Sequence, residues 1–119
     1  MTFERWDVLT ALFPFVESTR RKPRPVLVLS GSDFNDAHDH IITAMITTAA
    51  AGRWASDHSV TDLAAAGLLR PCVVRWKIFS LPKGTVARKI GTMGSSDRNA
   101  LSSALDDVMK NPAATTQTH

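Results

Sequence analysis

Arg20 to Ser30 reads RRKPRPVLVLS, a charged loop joined to a strand. Four of its first five residues are basic, and the other is Pro23. Arg24 directly precedes Pro25, whose ring disfavours a helical backbone one residue earlier, so no helix runs through this point. Val26, Leu27, Val28 and Leu29 follow. A continuous apolar run of this length, rich in β-branched residues, predicts a strand covered on both faces. An arginine at the mouth of a rigid strand, with more cations just before it, is aimed at something anionic and extended. Arginine suits that task because its planar fork grips a phosphate or carboxylate through two hydrogen bonds. Basic residues in a loop ordinarily keep it solvated, and for Arg20, Arg21 and Lys22 taken alone that plainer account suffices. Arg24 differs because the strand fixes its base.

Upstream, Trp6 to Phe13 carries Val8, Leu9, Leu12 and Phe13 on both parities and predicts a first strand, closed by Pro14. Phe15 to Lys22 is then a loop long enough to cover a groove. The second strand spans Pro25 to Ser30, and Gly31-Ser32 breaks it. Asp33 to Asp39 is polar and predicts a turn, since Asp33 and Asn35 can bond their own backbone. His40 to Thr48, HIITAMITT, is a third strand by its β-branched content.

Ala49 to His58 is a connection that holds Arg53 and Trp54. Thr61 to Gly67 has a capping residue, three alanines and a closing glycine, which predicts a short helical turn. Pro71 to Ser80 is a fourth strand, Leu81 to Gly84 a turn, and Thr85 to Met93 a fifth strand. In the last segment Ser95 or Ser96 caps a helix. Leu101, Ala104, Leu105, Val108 and Met109 fall at i, i+3, i+4, i+7 and i+8, one apolar stripe that ends before Asn111-Pro112. Five strands with short connections and one late helix predict a mainly β fold, a small curled barrel packed against an amphipathic helix.

At 119 residues the chain has the length of one domain, expected over 1–110, with Asn111 to His119 a disordered tail. Hydrophobic content of 44% and charged content of 21% are those of an ordinary soluble globular protein. The net charge of +3 permits nucleic-acid binding without demanding it. Cys72 is the only cysteine, so there is no disulfide framework, and a reducing cytoplasm is the simplest setting. The N-terminus has no signal-peptide architecture, and no apolar run approaches the length that spans a bilayer. No metal site or cofactor is expected. His38 and His40 lie two apart without a third ligand at a recognisable spacing, and there is no glycine-rich phosphate cradle.

Several segments, in order, resemble the MazF/PemK family of toxin ribonucleases. They are Asp7-Val8 with Phe13-Pro14-Phe15, then Arg24-Pro25 with its apolar strand and Ser30, then Ile46-Thr47-Thr48. Ala66-Gly67-Leu68, Pro71 to Arg75, Ile90-Gly91 and the final helix complete the match over about Trp6 to Met109. The resemblance implies an SH3-like barrel, usually a homodimer, that cuts single-stranded RNA at short sequences without a metal and leaves a 2′,3′-cyclic phosphate and a 5′-hydroxyl. It implies a cognate antitoxin as partner, and operator DNA bound through the toxin–antitoxin complex. Carried over by position, Arg24, Thr47 and Arg75 are the catalytic residues. The chain departs from the family where Trp6 replaces a common glycine and Cys72 a common serine. Near Arg75, Trp76 and Lys77 stand where some relatives carry an aspartate.

Cyclising cleavage uses the substrate's own 2′-hydroxyl, so positioning and stabilisation of charge on the phosphate do much of the work. Arg24 and Arg75 suit the charge, and Thr47 suits a hydrogen bond to phosphate or hydroxyl. Arg20, Arg21, Lys22, Arg53 and Lys77 are expected to track the RNA backbone, and Trp54 to stack on a base. Trp76 is equally suited to a base or to the core. The general base stays open among His38, His40, His58 and Asp57, because no spacing selects one. The alternative is a barrel with impaired catalysis that acts as a binding module, through antitoxin and DNA.

Overall fold

Val26, Leu27 and Val28 are all fully buried, the two-sided cover that their unbroken apolar run predicts. The computed structural model describes residues 2–12, 22–50 and 52–112. Arg20, Arg21, the Phe13-Pro14-Phe15 motif and most of the expected tail lie outside them. Strands β1 (Asp7–Ala11), β2 (Arg24–Val28), β3 (His40–Thr48), β4 (His58–Ser59), β5 (Cys72–Pro82) and β6 (Val86–Thr92) form one antiparallel sheet, ordered β4-β5-β3-β2-β1-β6. Among the described residues three helices accompany it: α1 (Ser32–Ala37), α2 (Leu63–Ala66) and α3 (Ser95–Met109). The fold is mainly β, a curled barrel with a C-terminal helix, as expected.

Side-chain alternation along the strands feeds two cores. Val8, Leu27, Ala44, Ile46 and Val74 face one side, where Leu101 of α3 closes over them. Leu9, Val26, Val28, Ile41 and Leu81 face the other, with Phe3. Trp76 belongs to the first core at 8% exposure, so it is a packing residue and not a surface for bases.

The structure differs from expectation in several places. Asp33 to Asp39 is not a turn: most of it is helical, in α1. Asn35 fixes that helix, donating to Phe3 O and Ser30 O at 3.0 Å each. β4 is a further strand of two residues. β5 runs on through Leu81 to Pro82, and a 3-10 turn at Lys83–Thr85 follows. In α3, Leu101, Ala104 and Leu105 pack on the core, whereas Val108 and Met109 in the last turn are exposed at 42% and 70%. The helix is capped at Gly94 without a side-chain hydrogen bond, rather than by a serine.

The short helix α2 follows its sequence closely. Asp62 Oδ1 accepts from Ala65 N at 3.0 Å. Gly67 closes the other end in the left-handed region, at φ 72°, which a glycine adopts without Cβ strain. Leu68 N then reaches back to Leu63 O at 2.9 Å.

Candidate active site

Pro25 ends any helical option for Arg24, and β2 then carries Arg24 into the sheet. Val26 of β2 pairs with Met45 of β3. Carried two residues further, that antiparallel register sets Arg24 level with Thr47. Both residues line one open groove of about 340 Å³, with Pro25, Met45, Thr48 and Cys72 also in its wall. Arg24 is exposed and Thr47 half-buried. Two of the three residues carried over by resemblance therefore meet. Thr48 and Cys72 were missed as groove residues by sequence reasoning; the pairing of Thr48 with Cys72 at the end of β3 brings them there.

Arg75 is held elsewhere. It pairs with Met45 across β3 and β5, next to a bulge at which Ala44 pairs with Ile78 and Met45 with Arg75. Its guanidinium turns to the segment before β4. Nε donates to Asp57 Oδ1 at 3.1 Å, and Nη2 donates to Asp57 Oδ2 at 2.8 Å and to Gly52 O at 3.0 Å. Asp57's side chain is fully covered, and Arg75 is 8% exposed. The hydrogen bond from Arg75 is the chief reason that the Asp57 carboxyl lies below its ordinary range. A carboxylate so held is a poor proton acceptor.

Of the other base candidates, His58 is tied by Nε2 to Asp97 Oδ1 at 2.8 Å. His40 stands at the far end of β3, seven residues from Thr47, or about 23 Å at the rise of a strand. His38 precedes it. None of the three shares the groove's walls. The Cys72 thiol does, but burial pushes its pKa up. Among the described residues no group of three or more His, Cys, Asp or Glu side chains is placed to hold a metal ion.

The other predicted RNA contacts divide. Lys22, Arg53 and Lys77 are exposed. Trp54 is 42% exposed, and its ring meets two cations: Arg75 Cζ at 5.2 Å and Lys77 Nζ at 5.6 Å from the centroid. Asp57 was within reach of the sequence only as a base candidate; its role as Arg75's partner depends on how the connection folds back.

Solved structures set this barrel among toxins. The Mycobacterium tuberculosis toxin MazF-mt6 is similar at 25% identity, with 90% of this chain and 99% of that one covered and a TM-score of 0.70. A mycobacterial endoribonuclease in complex with its cognate antitoxin shares the fold at 16% identity, covering 94% and 97%, with a TM-score of 0.71. MazF from Deinococcus radiodurans does so at 15% identity, covering 92% and 97%, with a TM-score of 0.71. Among curated proteins none matches. The model of the PemK-like, MazF-like toxins of type II toxin–antitoxin systems matches residues 4–109, and the chain belongs to that family.

Proposed function

We propose that the protein is a toxin endoribonuclease that cleaves single-stranded RNA at short sequence motifs, without a metal, and is neutralised by a cognate antitoxin. The observation that carries this is the meeting of Arg24 and Thr47 in one open groove. In the reaction the 2′-oxygen bonds to the adjacent phosphorus as the bond from phosphorus to the 5′-oxygen breaks. Arg24 donates its N–H groups to the non-bridging oxygens, where charge grows. The Thr47 hydroxyl hydrogen-bonds the phosphate or the attacking 2′-hydroxyl and aligns it. Guanidinium stays charged in proteins, so Arg24 is not the proton carrier. The 2′-hydroxyl gives up a proton as its oxygen attacks, and the leaving 5′-oxygen takes one up, which makes the 5′-hydroxyl end.

Lys22, with Arg20 and Arg21 beside it in sequence, forms the backbone-tracking rim on this reading. Arg53, Lys77 and Trp54 form a second flank. The unit acts in the cytoplasm as one domain through residue 110, as a homodimer, and binds operator DNA together with its antitoxin. A mycobacterial endoribonuclease of the same fold, solved in complex with its cognate antitoxin, supports the partner.

The test is incubation of purified protein with a long RNA in chelator, followed by mapping of the ends. Discrete cuts with 2′,3′-cyclic phosphate and 5′-hydroxyl ends are expected. Cleavage that appears only when a divalent ion is added contradicts the metal-free mechanism. RNA binding with no cleavage would favour the binding-module alternative, for which Trp76 and Lys77 speak, standing in sequence where some relatives carry an aspartate.

A further inference from the structure

We infer that Arg75 and Asp57 are positioning residues, whose pairing holds Trp54 as a stacking platform for one unpaired base of the RNA next to the Arg24–Thr47 groove. This rests on the endoribonuclease reading and assigns within it a subsite and the two residues that build it.

The segment Gly52 to Asp57 is folded onto Arg75 at several points. Arg75 binds Gly52 O at its start and both Asp57 oxygens at its end. Asp57 Oδ2 also accepts from Trp54 N at 2.9 Å, and Asp57 N donates to Trp54 O at 3.0 Å. The backbone that carries Trp54 is thus fixed from both sides by one residue, its N–H by the Asp57 carboxylate and its carbonyl by the Asp57 amide, and that carboxylate is held by one guanidinium. Asp57 leads directly into β4, whose His58 pairs with Val74 of β5, so the clasp stands on the sheet.

What the clasp presents is an aromatic ring that is 42% exposed. The Arg75 and Lys77 cations both lie against that ring. An exposed indole flanked by cations matches the needs of a single strand, whose bases offer π-faces and whose backbone offers negative charge. The platform is also close enough to serve the groove. Arg75 pairs with Met45, and Met45 lines the groove, so one strand spacing of about 4.8 Å separates their backbones. With both Nε and Nη2 committed to Asp57, Arg75 acts through Trp54.

The experiment compares the full chain with Trp54→Ala, Trp54→Phe, Asp57→Asn, Arg75→Lys and the double variant Asp57→Asn/Trp54→Ala. KM and kcat are measured on a cleavable single-stranded RNA, with direct binding of the same RNA carrying a 2′-deoxy block at the cut site, and thermal stability alongside. Trp54→Ala should raise KM and weaken binding by about tenfold to a hundredfold, with kcat little changed, and Trp54→Phe should recover most of that loss. Asp57→Asn and Arg75→Lys should do the same in smaller degree, and the double variant should be no worse than Trp54→Ala alone. Parental binding by Trp54→Ala overturns the platform. A fall in kcat at constant KM in Arg75→Lys overturns the positioning role and returns Arg75 to the reacting phosphate. If Asp57→Asn does not fold, the two Trp54 variants, which leave the clasp intact, still decide the platform. A parent chain that cleaves while Trp54→Ala is unaffected sinks only this inference; a parent that neither binds nor cleaves RNA sinks the endoribonuclease reading with it.

Discussion

His58 Nε2 lies 2.8 Å from Asp97 Oδ1 and ties β4 to the first turn of α3. The same carboxylate accepts from Thr61 N and Thr61 Oγ, at 2.9 and 3.0 Å, and from Asp62 N at 2.9 Å. Burial alone would raise its pKa. The hydrogen bonds from Asp62, Thr61 and His58 outweigh that, and its carboxyl lies below the ordinary value of 3.8. Asp97→Ala removes these acceptors at once and should cost about 1.5–3 kcal/mol of stability, read by chemical denaturation.

A pH dependence follows from Asp97 and Asp57 together. Both carboxyls have folded pKa values depressed below 3.8. Such groups contribute stability that is fully present above the ordinary value and lost as pH falls through it towards the folded value. The melting temperature should therefore hold level from neutrality down to about pH 5 and decline below about pH 4. Asp97→Asn should lower the plateau and shrink that acid decline. An unchanged acid decline in Asp97→Asn and Asp57→Asn would assign it to other carboxyls.

Gly67 and Gly91 mark where α2 presses on β6. A Cβ at Gly67 would stand 2.0 Å from Ile90 O, and one at Gly91 would stand 2.4 Å from the Ala66 carbonyl carbon. These obstacles are backbone and cannot rotate aside. Gly67→Ala should lose about 1–2 kcal/mol to its left-handed conformation and a further 1–3 kcal/mol, roughly, to overpacking. Gly91→Ala should show the second loss alone, because its φ is not in the left-handed region. Near-parental melting of both variants would show that α2 can move away from the strand.

The strands and the late helix were legible because each rests on a local pattern: β-branched runs, proline stops and one apolar stripe. α1 was not legible, because no apolar periodicity marks SDFNDA; Asn35 holds it through Phe3, which is distant in sequence. The groove was half legible. Arg24 and Thr47 came from resemblance, and the pairing of β2 with β3 brings them together. The clasp of Arg75 and Asp57 joins residues 18 apart through a loop closure that no periodicity encodes. Trp6 was a visible departure from a common glycine, and it lies at φ 76°, the left-handed region that glycine favours. Its indole is half-buried, with the Arg5 guanidinium 4.5 Å from the ring centroid.

The basic rim makes an ionic prediction. Neutralising Arg20, Arg21 and Lys22 together should weaken RNA binding and flatten its salt dependence, while bound RNA turns over at nearly the parental rate. Each phosphate contact on a single strand contributes about 0.7 to the slope of log affinity against log salt, so three lost contacts should reduce it by about 2. An unchanged slope would leave these residues as solvation of the loop.

The most direct measurement is single-turnover RNA cleavage by Arg24→Ala, with thermal stability recorded on the same sample. Arg24 is exposed at the start of β2, so its truncation should leave the barrel folded. Removing a fixed cation beside the reacting phosphate should cost about 3–4 kcal/mol, a rate loss of a hundredfold to a thousandfold. Arg24→Lys should recover binding better than rate, since it keeps the charge and loses the fork. A folded Arg24→Ala that cleaves at the parental rate would contradict the account and place the reacting phosphate outside the Arg24–Thr47 groove.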